Sequence, residues 1–547
     1  MKSALSLNIF KTEVPLNLAR HLACAAALIL VLPGCRAHSK SHNVNGSTAS
    51  VLRYPIPIEP QSLDPAKTDS GETNELLANI YEAPVILGPD NLIDPGLAEK
   101  WDISKDGKTY TFHLHPKARF HKPYARSVTS EDVKYSLERA LLPDTRSPYA
   151  TTTFEDIEGA KEVIGGKQRE LSGFRVIDPQ TFSITLTRPR SYFLGAMRYC
   201  FVVCRESIER NHGRIDEHAA IGTGPFRLTE YRHGSRVALE ANAEYYRGAP
   251  KLARIERPIV HDMHTAHAMY EAGDIDMCLA STPDIARDLK DPKFRDQAKA
   301  FAQASTWHLG FQEEQQPIFR DRRVRRAIAM CIDRDEDARI AFGGIRARAD
   351  SFLPPMLAAH NPAAKSPPYS PSAARALFAE AGYAGGRGFP NLTLTIGEGA
   401  PGNASEAQII RSKLKTILGI EVAIREQETA TFEADLIHGK LPMWLIGQGG
   451  SFEPRDYLSV FFRTGGRYNY HGYSNPKFDS LADSADAEMD GKKRIVLYRA
   501  AEQIILEDVP VIPLSYPVNG ILMKPYVRDL QVNGNDIMPH YHTRIGR

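Results

Sequence analysis

Short runs in which apolar and polar residues alternate recur along this chain, separated by stretches with helical spacing. Tyr110, Phe112 and Leu114 alternate with Thr111 and His113, which predicts a strand with one buried face. Asp106-Gly107, just ahead of it, signals a hairpin turn. Residues 181–187 repeat the alternation, with Phe182, Ile184 and Leu186 inward. Residues 51–58 read V-L-R-Y-P-I-P-I, a strand that its prolines bias toward a sheet edge. Residues 221–226 read I-G-T-G-P-F, where Gly222, Gly224 and Pro225 punctuate a turn. Val237 and Leu239 then alternate as a half-buried strand, and Asn242, Tyr245, Tyr246 and Gly248 close the unit.

Helical spacing appears at Leu76, Leu77, Ile80 and Tyr81, and at Val324, Ile328 and Cys331. Residues 130–139 form another helix, with Ser130 as its cap and Glu131 and Asp132 in its first turn. Ser370-Pro371 starts a further helix, whose inner stripe is Ala374, Leu377, Phe378 and Ala381 and whose stop is Gly382. Leu392, Leu394 and Ile396 then alternate, residues 404–418 are helical, and Ile420, Val422 and Ile424 alternate again. Strand, helix, strand is a β-α-β unit, which implies α/β packing with parallel pairing.

The first apolar run is of a different kind. After basic residues ending at Arg20, residues 22–32 are apolar and uncharged. That is short of the ~20 residues a bilayer span needs, and fits a secretory signal. The run ends L-P-G-C at Cys35, which resembles a lipoprotein cleavage site with the cysteine as lipid acceptor. Residues 36–50 are small and polar, as in a flexible tether. The leader's three basic residues and one acid carry the whole formal charge of +2, so the rest nets zero and offers no basic face for nucleic acid. At 547 residues the chain exceeds one core, so two or three domains are expected.

Beyond Cys24 and Cys35 the cysteines are Cys200, Cys204, Cys278 and Cys331. An exported compartment permits disulfides, and spacing leaves buried thiols or a disulfide open. Cys200 with Cys204, or His261 with His264 and His267, would be half a metal site; neither has an evident fourth ligand, and no metal is expected. The arginines at 320, 322, 323, 325 and 326 read as a solvated helix face beside Asp321 and Asp333.

Several segments carry a family resemblance in colinear order. They are E-P-Q-S-L-D-P at 59–65, P-G-L-A-E-K-W…S-K-D-G-K-T-Y-T-F-H-L at 95–114, Phe120-His121 and the helix at 130–139. The unit at 221–250, Y-E-A-G-D-I-D-M at 270–277, the run at 317–334 and A-E-Q-I-I-L-E-D-V-P-V-I-P at 501–513 continue it. Together they resemble the family 5 extracellular solute-binding proteins of ABC importers, of the oligopeptide- and dipeptide-binding type. The resemblance implies a two-lobed α/β clamp, a type II periplasmic-binding-protein fold with an extra subdomain inserted in the first lobe. The implied layout is a signal peptide at 1–34, a tether at 35–50, lobe I at 51–80, 195–258 and 505–547, the inserted subdomain at 81–194, and lobe II at 259–504. It further implies a monomer, exported and lipid-anchored at the periplasmic or cell-surface side. That monomer would capture peptides without a cofactor or a reaction and deliver them to permease subunits.

Site positions carry over where motifs match. Asp69, Ser70 and Gly71 match a ligand-contacting loop, Tyr149 matches a pocket tyrosine, and Tyr245 and Tyr246 match an aromatic pair at the hinge. One departure stands out. Peptide binders of this family hold the ligand's ammonium with an aspartate shortly before an E-P-x-x-[FY]-L segment. Here that segment is Glu453 to Leu458, and the aspartate position falls on Gly450, beside Gly449. A basic position six residues earlier falls on Trp444. A buried ammonium without a carboxylate is costly, so Asp456 or Asp69 would have to substitute. Trp444 in a glycine-rich wall would instead suit a ring such as a sugar face. An oligosaccharide, glycopeptide or nickel-complex binder is therefore the alternative within the fold, and a sensor or chaperone-like binder a more distant one. No G-x-S-x-G, H-E-x-x-H or phosphate-loop motif points to an enzyme.

Overall fold

The computed structural model describes residues 50–68, 70–398, 401–449, 452–466, 468–534 and 537–546. The expected signal peptide, Cys35, all but the last residue of the expected tether, Asp69 and Gly450 lie outside them.

Four larger sheets organise the described chain. Val51–Arg53, Arg254–Pro258, Arg236–Ala241 and Phe226–Arg232 form one, in that order. Val51–Arg53 is an edge strand, as its neighbouring prolines predict, and runs parallel to Arg254–Pro258. Beside it in sequence logic stands a three-stranded sheet, with Val518–Met523 between Met277–Ala280 and Ala298–Ala302.

The inserted subdomain is built on Ala98–Ile103, Thr109–Leu114, Thr181–Thr185 and Phe174–Asp178, all antiparallel. Tyr110, Phe112, Phe182 and Ile184 are fully buried, the face that the alternation predicts. Phe112 and Phe182 are cross-strand partners, with stacked rings 5.1 Å apart. Helix Ser130–Leu141 covers this sheet. Its cap is Thr129 rather than Ser130: the Thr129 N–H donates to Asp132 Oδ2 at 2.9 Å, and Ser130 Oγ donates to the Asp178 carbonyl instead.

A six-stranded sheet forms the second lobe, in the order Ala347–Arg348, Val511–Tyr516, Ser305–Phe311, Met443–Gly449, Leu392–Gly397, Val422–Gln427. Leu392–Gly397 and Val422–Gln427 pair in parallel and are joined through helix Pro401–Leu418, the β-α-β unit read from the pattern. Ile410, Leu414 and Leu418 of that helix pack on the sheet with Leu394 and Ile396.

The chain enters this lobe between Ala302 and Ser305 and leaves it between Tyr516 and Val518. Residues 259–302, expected in lobe II, therefore pair outside it, and residues 505–516, expected in lobe I, complete its helix Gly491–Asp508 and strand Val511–Tyr516. The cause is a strand exchange invisible to local pattern: Val518–Met523 returns between two strands from far upstream.

The I-G-T-G-P stretch works by close approach rather than as a turn. Gly224 N donates to Ile80 O at 2.8 Å, and Phe226 N to Asn79 O at 3.0 Å. A Cβ on Gly222 would sit 2.7 Å from the Ile80 carbonyl carbon, and one on Gly224 would sit 2.5 Å from Asn79 O. The four later cysteines are free, buried thiols. His261, His264 and His267 face separate partners, namely Pro57 O, Asp284 and Asp288.

Candidate functional site

A cavity of about 1210 Å³ opens between the inserted subdomain and the second lobe. One wall carries Leu92, Ile93, Tyr149, Tyr192 and Arg198; the other carries Gln448, Gly449, Phe452, Glu453, Asp456 and Arg494.

Local sequence explains how the second wall is presented. Strand Met443–Gly449 ends in glycines, and the short helical turn Pro454–Asp456 follows, with proline at its first position. Glu453 precedes that turn, Asp456 is its last residue, and both reach the cavity. Asp490 caps helix Gly491–Asp508, accepting from Lys492 N at 2.9 Å and Lys493 N at 3.0 Å. Arg494 and Tyr498, four residues apart, then share the helix face that lines the cavity.

The two walls meet at a polar junction. The Arg455 guanidinium lies 4.1 Å over the Tyr192 ring, and its Nε is 3.7 Å from Asp486 Oδ2. Asp486 Oδ1 accepts from Tyr498 at 2.7 Å and from Ser459 at 2.9 Å, while its backbone carbonyl accepts from Ser191 N at 3.3 Å. Tyr192 Oη donates to Asp156 Oδ2 at 2.8 Å, and Arg190 Nε to the same oxygen at 2.6 Å. Burial pushes the Asp486 carboxyl up to about 6, against the pull of Arg455, Tyr498 and Ser459. Burial, with Asp456 close by, pushes Glu453 up to about 7 although Arg494, Arg198 and Arg455 pull it down. Gly195 leaves room for Glu453: a Cβ there would be 3.3 Å from Oε1.

The residues expected from sequence separate into three groups. Tyr149 and Gly449 line the cavity. Tyr149 Oη also donates to the carbonyls of Pro65 and Tyr199, at 3.0 and 3.1 Å. Ser70 caps helix Gly71–Leu77, and Gly71 opens that helix; neither lines the cavity, although Asn74 one turn on does. Tyr245 and Tyr246 donate to Glu82 Oε1 at 2.8 and 3.0 Å, at the joint between the first lobe and the inserted subdomain, away from the cavity. Trp444 does not reach the cavity either. It is 1% exposed, packed with Phe432, Leu436 and Leu441, with its ring 5.1 Å from His471. A Cβ on Gly310 would clash with that indole, so the strand opposite has made room for it. A ring-stacking role for Trp444 is thus not open to it, because alternation turns its side chain to the helix-covered face.

Residues that sequence reasoning passed over include Tyr192, Arg198, Asp486, Arg494 and Tyr498. Each sits in an ordinary local context, and only tertiary packing brings them together. Among the described residues, no group of three His, Cys, Asp or Glu side chains is placed to hold a metal, and no helix is long and apolar enough to cross a membrane.

Comparison with known proteins agrees with this geometry. The model of the bacterial extracellular solute-binding proteins, family 5 middle region, matches residues 93–470. Di/tripeptide-binding protein 2 of Pseudomonas aeruginosa is 30% identical, over 84% of this chain and 88% of its own length. The dipeptide-binding protein DppE of Bacillus subtilis is 27% identical, over 90% and 93%. Among solved structures, the Escherichia coli murein tripeptide binding protein MppA covers 92% of this chain and 99% of its own, at 26% identity and a TM-score of 0.77. With the family match spanning residues 93–470 and the Pseudomonas protein 30% identical over most of both chains, the chain belongs to the family 5 bacterial extracellular solute-binding proteins.

Proposed function

We propose that this protein is the solute-capturing subunit of an ABC importer, holding a peptide between its lobes and releasing it unchanged to permease subunits. One observation carries the peptide reading. Strand Met443–Gly449 pairs with Ser305–Phe311 along its whole length, but with Leu392–Gly397 only at Met443 and Trp444. Beyond Trp444 its second edge has no strand partner among the described residues, and Gln448 and Gly449 there line the cavity. An open strand edge in a cavity wall offers main-chain donors and acceptors in the order an extended peptide needs. Peptide binding by the similar proteins from Pseudomonas, Bacillus and Escherichia supports the same choice.

The test is a thermal-shift series with alanine peptides of increasing length, a murein peptide and an oligosaccharide. A ligand at ~100 times its dissociation constant adds about 2.7 kcal/mol of stability. A shift from the sugar with none from any peptide would overturn the reading. We propose further that residues 1–34 are removed on export and that Cys35 carries the lipid that tethers a monomer to the membrane. Intact mass of the membrane-extracted protein checks this: a Cys35→Ser variant that stays in the membrane fraction at full lipidated mass refutes it.

A further inference from the structure

The cavity wall beside the open strand edge is aromatic on one face and bare on the other. Successive side chains of Met443–Gly449 point to opposite faces, so Trp444, Ile446 and Gln448 share one, and Gly447 and Gly449 fall on the other. On the first face Trp444 packs with Phe432, Leu436 and Leu441, and Ile446 and Tyr470 are partly buried against that cluster. Tyr470 is in turn one of three neighbouring rings. Its centroid is 6.0 Å from that of Phe461 and 6.2 Å from that of Tyr468, both edge to face, and Phe461 and Tyr468 are 6.1 Å apart. Phe461 and Tyr468 line the cavity, as Gln448 does, and both are half-buried.

Two sets of contacts hold these rings in place. In the short helix Ser459–Phe462, Phe462 is fully buried against Phe352 and His471, which leaves Phe461 for the cavity. Gln312 donates from Nε2 to the Tyr470 carbonyl at 2.8 Å and from its N–H to the Pro442 carbonyl at 3.1 Å, which ties the segment carrying Tyr468 and Tyr470 to the start of the same strand.

Pairing geometry then assigns a guest to the rings. A peptide added along residues 445–449 sends alternate side chains to alternate faces, in step with the strand it pairs with. Those level with Ile446 and Gln448 arrive on the aromatic face. Their neighbours arrive on the face of Gly447 and Gly449, which are exposed and have no side chain to offer. We propose that Phe461 and Tyr468, backed by Tyr470, determine side-chain specificity: they select an aromatic side chain at the peptide position that shares a face with Ile446 and Gln448, and the adjoining positions are not selected. An aromatic guest extends the edge-to-face packing that the three rings already make, whereas a methyl group reaches too little of it. The rings, not the tyrosine hydroxyls, supply the contact. This inference rests on the peptide reading above.

The experiment is titration calorimetry with Ala-Ala-Ala-Ala and the peptides that carry a single phenylalanine at each of its positions in turn. Phenylalanine tightens binding about tenfold or more at one position, or at two positions with one between them, and about twofold or less at the positions adjoining these. Leucine at the favoured position gains less than phenylalanine. Phe461→Ala and Tyr468→Ala each narrow the phenylalanine-to-alanine affinity ratio to about twofold, and Tyr468→Phe keeps it near the native value. Should an alanine variant fail to fold, Phe461→Leu and Tyr468→Leu fill the space without a ring and narrow the ratio in the same way. Equal affinity for all these peptides, a gain at adjoining positions, leucine binding as tightly as phenylalanine, or a ratio that survives loss of both rings overturns the inference alone. Failure of every peptide to bind overturns the peptide reading and this inference with it.

Discussion

Replacing Arg455 by methionine tests the junction where the two cavity walls meet. The perturbation keeps an unbranched apolar stem and removes the guanidinium with its charge. Two losses follow. The guanidinium stack on Tyr192, at 4.1 Å, contributes about 1 kcal/mol at a half-buried site. The second loss belongs to Asp486, whose carboxyl sits at about 6 with Arg455 present. Burial has raised it above the ~3.9 of an unfolded aspartate. Its ionised form is therefore the costly one, and the cost is absent below the unfolded value and complete above the folded value. Without Arg455 the carboxyl rises further and stays protonated at pH 7.5. The extra cost is then capped by the 1.5 units between 6 and 7.5, about 2 kcal/mol. At pH 5 Asp486 is protonated in both proteins, and only the stack is lost. Arg455→Met thus costs about 3 kcal/mol at pH 7.5 and about 1 at pH 5. Urea denaturation followed by tryptophan fluorescence reads it, since Trp101 lies in the subdomain and Trp307 and Trp444 in the second lobe. Equal losses at the two pH values would refute the reasoning.

Other outcomes follow from packing. Gly222→Ala, which drives a methyl onto the Ile80 carbonyl, costs 3 kcal/mol or more by the same denaturation assay; a loss under about 1 would show that the backbone can give. Trp444→Phe lowers stability by about 1–3 kcal/mol but leaves peptide affinity within about twofold, because the indole packs against Phe432 and Leu436 and not the cavity. Cys200, Cys204, Cys278 and Cys331 are alkylated by iodoacetamide only after denaturation, as mapped by peptide mass. Rapid labelling of any of them in the folded protein would contradict their burial.

The reach of the sequence differed by kind of feature. Strands with one wet face were plain, because Tyr110, Phe112 and Leu114 repeat at the period of the pleat. The β-α-β unit was plain too, since its helix and both strands are contiguous. Lobe boundaries were not, because Val518–Met523 pairs with strands more than two hundred residues upstream, and nothing local records that. In the site, Tyr149 and Gly449 line the cavity. Trp444 does not, because residue type alone does not say which face of a strand is covered. Glu453 and Asp456 stood in a quoted motif, yet their charge environment depends on Arg198 and Arg494, which only the folded chain brings near.

The two crossings between lobes lie side by side: Gln303 N donates to Pro517 O at 3.0 Å. Everything between them, 304 to 516, is one unbroken length of polypeptide that departs and returns at the same spot. The second lobe is therefore a module in the genetic as well as the spatial sense. A single cut-and-paste at that spot, bridging 303 to 517 with a tight turn, would excise it whole. The same joint would accept the matching segment of a relative, so hybrids that exchange half a ligand site in one recombination step are within reach of this architecture.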